Sequence, residues 1–588
     1  MIKLFKAFLL SSFIFYNLVV IAEEISIFTS QAPVYIISDI HGDFNKLETN
    51  LKTIGLIDFD GNWVGEDAHF ISLGDILHTN NDKQPSSRKI IDLFMKLQIQ
   101  AEDKGGKVHV LMGDKELDQL QGNWGTLTTE RIEQFSDLYP HQEDLNAYHQ
   151  AFSLTGKYGQ WLAGLPFVIK VNDQLFTHAG ISKWLKNTDL NTLNKKLRSG
   201  LINNINTWQS LTTTYNLAYN TPISDRVTTV TELKDSLNKT KYLSSNKSLA
   251  FSRMGPVMYH GNEICHSYFE NDLLSKKLQY WKTSRLWVGH NIASDTNVHT
   301  RLNDQLMQID TSKIKTSLNN NSWVAKLSPS GEASFIDGIT GKNTQPVQIS
   351  NRRVNNSYNM NDEELENFLS TATITQKDRT KEGITKPLKV TLERDGKILH
   401  GIFKYKDSYP FAHKGNWSSK KSAADRYQYE VVAYKLDRLL GIGLVPVTVF
   451  RKIDGKSGII QLWIEGLVSQ LQFNEQKMEF TGYCDPKDQE NMMNAFDYLI
   501  LNTDRNQSNI LYSKNDWQVW FIDHSKSFGT SKRRPKMLKG YEIKASPTFK
   551  KALRLLNSNN LSELRPWLHK KQIQALLMRR DKILEDNF

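Results

Sequence analysis

The chain has 588 residues, 39% apolar and 23% charged, with a net charge of +11. That length exceeds one ordinary domain, and the composition is that of a globular protein, which excludes a fibrous or wholly disordered chain. The charge is uneven: residues 381–588 hold 36 Lys and Arg against 23 Asp and Glu, a net +13, which leaves −2 for the rest. A basic partner surface, if present, therefore belongs to the C-terminal part.

Met1 to Ala22 reads as an export signal. Lys3 and Lys6 make a positive start, residues 7–22 are nearly all apolar, and Val20 and Ala22 are small enough for cleavage before Glu23. Export to the periplasm or outside the cell is expected. No later stretch is long and apolar enough to span a bilayer, so no stable membrane span is expected after cleavage.

Val34-Tyr35-Ile36-Ile37-Ser38 is a short β-branched run that reads as a buried strand, and Asp39-Ile40-His41-Gly42-Asp43 follows it. The pattern of a strand and then a ligand-type residue recurs four times. Runs 68–73, 108–112, 175–177 and 286–288 end in Gly74-Asp75, Gly113-Asp114, His178-Ala179-Gly180 and Gly289-His290. A single Asp or His after a strand is usually a turn residue or helix cap. Five such units supply three carboxylates and three imidazoles, enough for two metals sharing one bridging Asp.

Residues 196–250 are polar and rich in Asn and Thr, with Leu233–Leu237 a short helical candidate. An insertion of this length is expected to cap the site. Residues 341–380 read as a linker rich in Ser, Thr, Asn and Gly. It carries one helix, capped by Asn361 with Glu364 three residues on and with Leu365, Phe368 and Leu369 on one face. Cys265 and Cys484 lie far apart and suggest neither a disulfide framework nor a thiolate metal site.

From 388 onward the reading is a hairpin over 388–404, a helix over 423–440 closed by Gly441, and a second hairpin over 445–463. An apolar helix over 493–501 then leads into Asn502-Thr503-Asp504-Arg505-Asn506-Gln507-Ser508-Asn509. Strands at 510–512 and 517–522 follow and run into Asp523-His524-Ser525. The Asp-x4-Asn spacing is that of a kinase catalytic loop, and Asp523 stands where a metal-holding Asp would follow. The basic stretch Ser531-Lys532-Arg533-Arg534-Pro535-Lys536, with Lys539, would draw an anionic substrate toward the acceptor side. Residues 547–588 read as two or three closing helices.

On these motifs residues 33 to about 340 resemble a calcineurin-like metallophosphoesterase, in particular the Shewanella-like branch of the phosphoprotein phosphatases. Residues 383 to about 580 resemble the atypical kinases of the phosphoinositide-kinase-like, HipA-like and secretory-pathway kinds. The expected architecture is an α/β metallophosphoesterase sandwich, two mixed sheets flanked by helices, over 23–340. An α+β two-lobed kinase-like domain over 381–588 is expected to follow it.

By the first resemblance Asp39, His41, Asp75, Asp114, His178 and His290 would hold two divalent metals, Mn, Fe or Zn. Where the family carries GDxxDRG this chain has Gly74-Asp75-Ile76-Leu77-His78-Thr79-Asn80, and where it carries GNHE this chain has Gly113-Asp114-Lys115-Glu116. His260 replaces an Arg after Gly255-Pro256-Val257-Met258-Tyr259. Lys115, His78 and His260 therefore stand at positions of catalytic and phosphate-gripping residues. Lys is a poor proton donor at neutral pH unless burial lowers its pKa, and the bidentate phosphate contacts of two arginines are lost.

By the second resemblance Lys404 would contact the ATP phosphates and pair with Glu430. Asp504 would orient or deprotonate the acceptor hydroxyl, and Asn509 and Asp523 would hold Mg or Mn. The combined expectation is a phosphoesterase with an altered active site fused to an ATP-dependent kinase-like domain. The alternative is a metal- and phosphate-binding protein with one or both sites inactive. Expected partners are phosphorylated proteins or small phosphoesters, with an anionic lipid or acidic protein at the basic half, and no nucleic acid.

Overall fold

The computed structural model describes residues 25–77, 86–233, 235–291, 297–310, 322–349, 358, 360–380, 387–407, 425–514 and 516–585. The stretch expected to be an export signal, residues 1–22, therefore lies outside the described residues, as do His78 and Thr79. Among the described residues no helix is long and apolar enough to cross a membrane.

Two sheets face each other in the first half. One runs, in spatial order, through strands Asn343–Thr344, Ala333–Asp337, Trp323–Leu327, Val34–Ile37, His69–Ser72 and Lys107–Val110. The other runs through Ile27–Phe28, Val168–Val171, Gln174–Thr177, Arg285–Val288, Leu306–Gln308, His299–Arg301 and Val347–Gln348. Both are mixed. Their inner faces meet in a core that includes Ile36, Ile71, Leu111, Phe176, Trp287 and Phe335. Helices cover the outer faces, where Leu51, Phe94, Leu97 and Leu201 are fully buried or nearly so. Val34–Ile37, His69–Ser72 and Lys107–Val110 are parallel and in register, and Gln174–Thr177 is parallel to Arg285–Val288. Carboxyl ends of parallel strands are where α/β sheets bind ligands, and all five ligand-type segments emerge there.

The polar insertion folds as three helices, Leu190–Tyr215, Ile223–Glu232 and Ser236–Ser245, around Trp208, Leu211, Val230 and Tyr242. Leu233 caps the second helix at its C-terminus, so the short candidate at 233–237 falls mainly in the joint between two helices.

The expected linker is mostly built structure. Asn343–Thr344 and Val347–Gln348 are edge strands of the two sheets above. Helix Asp362–Thr371 has the capping box read from Asn361 and Glu364, and it buries Leu365, Phe368 and Leu369 in the second core. Strand Thr373–Arg379 pairs antiparallel with Leu388–Arg394. A boundary at 381 would thus cut between two paired strands. Composition alone misses this because Thr373–Arg379 is largely exposed, and its polar residues face water.

The second half opens with a five-stranded antiparallel sheet in the order Thr373–Arg379, Leu388–Arg394, Lys397–Lys404, Lys456–Leu462 and Thr448–Ile453. Asp395-Gly396 and Asp454-Gly455 make its two-residue turns, all four with positive φ. Helix Gln428–Leu439 packs on this sheet. Beyond it lie a three-stranded sheet, Leu467–Ser469, Ile510–Ser513 and Val519–Phe521, and helices Pro486–Ile500, Pro547–Leu555 and Lys570–Glu585. This is the expected two-lobed arrangement.

The halves share an interface. Tyr268, in helix Ser267–Trp281, is buried in the second core, and its hydroxyl donates to the Leu440 carbonyl. His266 Nε2 lies 2.7 Å from the Ile442 carbonyl, and Asp272 accepts from Thr548 Oγ1 at 2.9 Å. Cys265 and Cys484 form a disulfide, with Cα atoms 5.2 Å apart. Their separation in sequence suggested no disulfide, and the structure corrects that reading. The 219 residues between them say nothing about distance in space once the halves dock.

Candidate metal centre and kinase-like site

The six ligand-type residues converge. Ligand atoms of Asp75, Asp114, His178 and His290 lie within 4.8 Å of one another, as do those of Asp39, His41 and Asp75, so Asp75 belongs to both sets. His178 Nε2 is 3.3 Å from Asp75 Oδ1 and 3.0 Å from His290 Nδ1. His41 Nδ1 is 3.8 Å from Asp75 Oδ2. Asp39 Oδ2, His41 Nε2, Asp75 Oδ2 and Asp114 Oδ1 are buried without a hydrogen-bond partner. Buried polar atoms normally have partners, so inward-facing orphans from a mixed carboxylate and imidazole set fit a pair of divalent cations. Burial and the nearby charges of Asp39, Asp114 and Glu116 push the Asp75 carboxyl well above its ordinary pKa, against the opposing pull of His178. A cation would relieve that repulsion.

Local structure aims these groups. His41, Asp75 and His290 all have positive φ, as do Gly42 and Gly74. Such turns point a side chain back across the strand end, at a cost that the surroundings must offset. A Cβ on Gly74 would sit 2.7 Å from the Gly113 nitrogen, so only glycine lets the two loops touch. Glu116 is fully buried and accepts from the backbone N–H groups of Asp75, Ile76, Leu77 and Gly113 at 2.8–3.1 Å. Sequence reasoning assigned Glu116 no role. Its local signal was a Glu at the third residue of a helix, and the structure uses half of a capping box: the Glu116 carboxylate reaches back to the N–H of Gly113, which has no side chain to return the bond. His178 Nδ1 donates to the Leu73 carbonyl at 2.8 Å, turning Nε2 inward. The His290 N–H donates to Asp39 Oδ1 at 2.9 Å, and the Ser38 hydroxyl donates to the same oxygen at 2.6 Å.

Two residues at altered positions are visible here. The Lys115 ammonium pairs with Asp114 Oδ2. Burial would lower its pKa, but Asp75 and Asp114 outweigh burial and raise it. His260 Nε2 lies 2.9 Å from His290 Nε2.

In the second half Lys404 Nζ contacts Glu430 Oε1 at 2.5 Å and Asp523 Oδ1 at 2.9 Å. Glu430 is fully buried, and although burial opposes it, the Lys404 charge holds its carboxyl below the ordinary range. This pair is therefore no surface ion pair. Glu430 Oε2 also accepts from the His524 N–H at 3.0 Å, which ties helix Gln428–Leu439 to the segment after Asp523. Asn509 Nδ2 donates to Asp523 Oδ2 at 3.1 Å and to the Asp504 carbonyl at 3.2 Å. Asp504 Oδ2 accepts from Lys526 Nζ at 2.6 Å. Arg505 holds the loop, donating twice to Asp497 at 2.8 Å and to the carbonyls of Asn509 and Ile522. Lys526 and Arg505 were not singled out in the sequence. Arg505 could have been, since a buried basic residue inside a catalytic-loop spacing needs a carboxylate, and Asp497 lies eight residues earlier, in the last turn of helix Pro486–Ile500.

Two family models match the chain: calcineurin-like phosphoesterase over residues 32–231, and Fam20C, the Golgi casein kinase C-terminal family, over residues 343–492. A curated relative, Shewanella-like protein phosphatase 1 of Plasmodium berghei, is 31% identical over 168 residues, which cover 29% of this chain and 44% of the relative. The chain thus spans less than half of that relative's length. A solved cold-active protein-tyrosine phosphatase of a psychrophilic Shewanella species aligns at 22% identity with a TM-score of 0.40, covering 55% of this chain and 83% of that one. Hydra Fam20 aligns at 18% identity with a TM-score of 0.29, covering 40% and 90%.

Proposed function

Given a calcineurin-like phosphoesterase domain followed by a Fam20-like kinase domain, we propose that the chain hydrolyses phosphomonoesters at the first site and transfers phosphoryl groups from ATP at the second. The observation that carries the first reading is the set of buried, unpartnered atoms on Asp39, His41, Asp75 and Asp114. Asp39, His41 and Asp75 would hold one ion, and Asp75, Asp114, His178 and His290 the other, with Mn, Fe or Zn suited to these ligands. When bound, such a pair supplies Lewis acidity and makes a water acidic enough to attack at neutral pH. The chain's own residues do the rest. Glu116 fixes the loop that carries Asp75, Leu73 orients His178, and the His260 ring packs beside His290 with its Nε2 2.9 Å from the His290 Nε2. Lys115 keeps a positive charge beside Asp114.

At the second site Lys404 would meet the ATP phosphates and Asp504 the acceptor hydroxyl, with Asn509 and Asp523 holding Mg or Mn. Glu430 keeps Lys404 in place. The disulfide supports an oxidising compartment, consistent with the export reading of residues 1–22.

Metal analysis of the purified chain should give close to two equivalents of transition metal, and Asp75→Ala should remove most of it along with turnover of p-nitrophenyl phosphate. Unchanged metal content in Asp75→Ala would sink the assignment. Asp523→Ala should abolish transfer from labelled ATP while leaving hydrolysis at the first site intact.

A further inference from the structure

The segment just before helix Pro486–Ile500 belongs to the kinase-like half, yet it ends at the metal centre of the other half. The Tyr483 ring lies 5.0 Å from the His260 ring and 6.1 Å from that of Tyr259, centroid to centroid. The His260 ring in turn lies 4.6 Å from that of His290. Three separate anchors hold the segment there. The Arg253 guanidinium donates to the carbonyls of Phe480, Thr481 and Gly482, and its plane lies over the Tyr483 ring at 5.8 Å. Cys484 is bonded to Cys265. Asp485 pairs with Lys183. A loop needs one such tie to dock. Three within six residues hold one side chain, Tyr483, in a fixed place.

We infer that Tyr483 is a positioning residue of the phosphoesterase site, contributed by the kinase-like half, and that it holds the His260 imidazole where it can meet a bound phosphate. This inference rests on the phosphoesterase reading above. His260 has a short, rotatable side chain, and its Nε2 already faces His290 Nε2. An aromatic wall behind the ring restricts the rotamers in which that nitrogen could turn away. Within the first half the ring meets His290 and Glu263, and Tyr483 adds an aromatic face to it, so this wall is complete only in the two-domain chain.

The test uses the full-length chain. Inorganic phosphate binding is measured by calorimetry, and kcat and KM with p-nitrophenyl phosphate. Tyr483→Ala should weaken phosphate binding and raise KM about three- to tenfold, the range of one aromatic pair, with kcat within about twofold. Tyr483→Phe should restore both values. Tyr483→Leu, which keeps apolar volume and spares folding, should reproduce the loss, and thiol titration should show the disulfide intact in each variant. His260→Ala should give the same loss, and adding Tyr483→Ala to it should cost nothing more. Wild-type phosphate affinity in both Tyr483→Ala and Tyr483→Leu, or losses that add in the double variant, would overturn the inference. Phosphate binding that shows this coupling in a chain without turnover would overturn the hydrolase reading and leave the role of Tyr483 standing. Turnover without the coupling would do the reverse.

Discussion

The ammonium of Lys115 lies against Asp114, at two positions where the resemblance to the phosphoprotein phosphatases implies Asn and His. A neutral amide followed by an imidazole has become a carboxylate followed by an ammonium. The added negative charge on the metal pair is thus offset by the next residue, and the price is a proton donor that stays protonated when it should give its proton up. Reverting both positions, Asp114→Asn with Lys115→His, should raise kcat for alkyl phosphates by about tenfold or more, within the range of general acid help. p-Nitrophenyl phosphate, whose leaving group needs little protonation, should gain less. Equal gains on both substrates would mean that Lys115 acts otherwise. A second residue-scale effect concerns Glu270, which is buried and accepts from Tyr259 and Asn262 at 3.0 and 2.8 Å. Burial pushes its carboxyl up to about 7, above the unfolded value of about 4.3. The folded state therefore binds the extra proton, and this contribution to stability is present below about pH 4 and is lost as pH rises toward 7. Between pH 4.5 and 7 the wild type should lose urea resistance more steeply than Glu270→Gln. Parallel profiles would remove Glu270 as the cause.

The basic loop is an element whose charges divide once its structure is seen. Arg534 is committed, donating to the Tyr541 carbonyl at 2.9 Å with its guanidinium 5.7 Å over the Tyr498 ring. Lys532, Arg533, Lys536 and Lys539 remain exposed. Changing Arg533 and Lys536 to Ala should cut phosphorylation of acidic acceptors severalfold, and added salt should mimic the loss, because exposed charges are screened beyond about 8 Å at physiological ionic strength. Arg534→Ala should instead lower stability. Transfer that ignores both the double change and salt would exclude this loop from substrate choice. What could be read in the sequence divides along similar lines. The ligand segments, both Asp-Gly hairpins and the Asp504–Asn509 loop were legible because each depends on local backbone chemistry: strand ends, turn residues, fixed spacing. Thr373–Arg379 was not, because an exposed edge strand has no apolar alternation to betray it. Tyr483 was missed because its partners lie in the other half, and the role of Glu116 because three of its four donors lie on the Asp75 loop; no local pattern encodes a contact made only after folding.

For the whole molecule, the disulfide closes a span of 219 residues between the halves. Crosslinks over long spans restrict the unfolded chain strongly, and Cys484→Ser should cost about 2–4 kcal/mol of stability by denaturant unfolding. An unchanged midpoint would show that the docked interface around Tyr268 and Thr548 suffices without it. The same region sets the spacing of the two active centres. Helix Pro486–Ile500 starts two residues after Cys484 and ends just before Asn502 and Asp504. Its 15 residues make a rod of about 22 Å. One end lies beside the candidate metal centre through Tyr483, and the other leads into the loop whose Asp504 would meet an acceptor hydroxyl. The helix alone is as long as roughly seven extended residues, so a peptide held at both of its ends at once must be at least that long. A shorter peptide reaches only one end at a time.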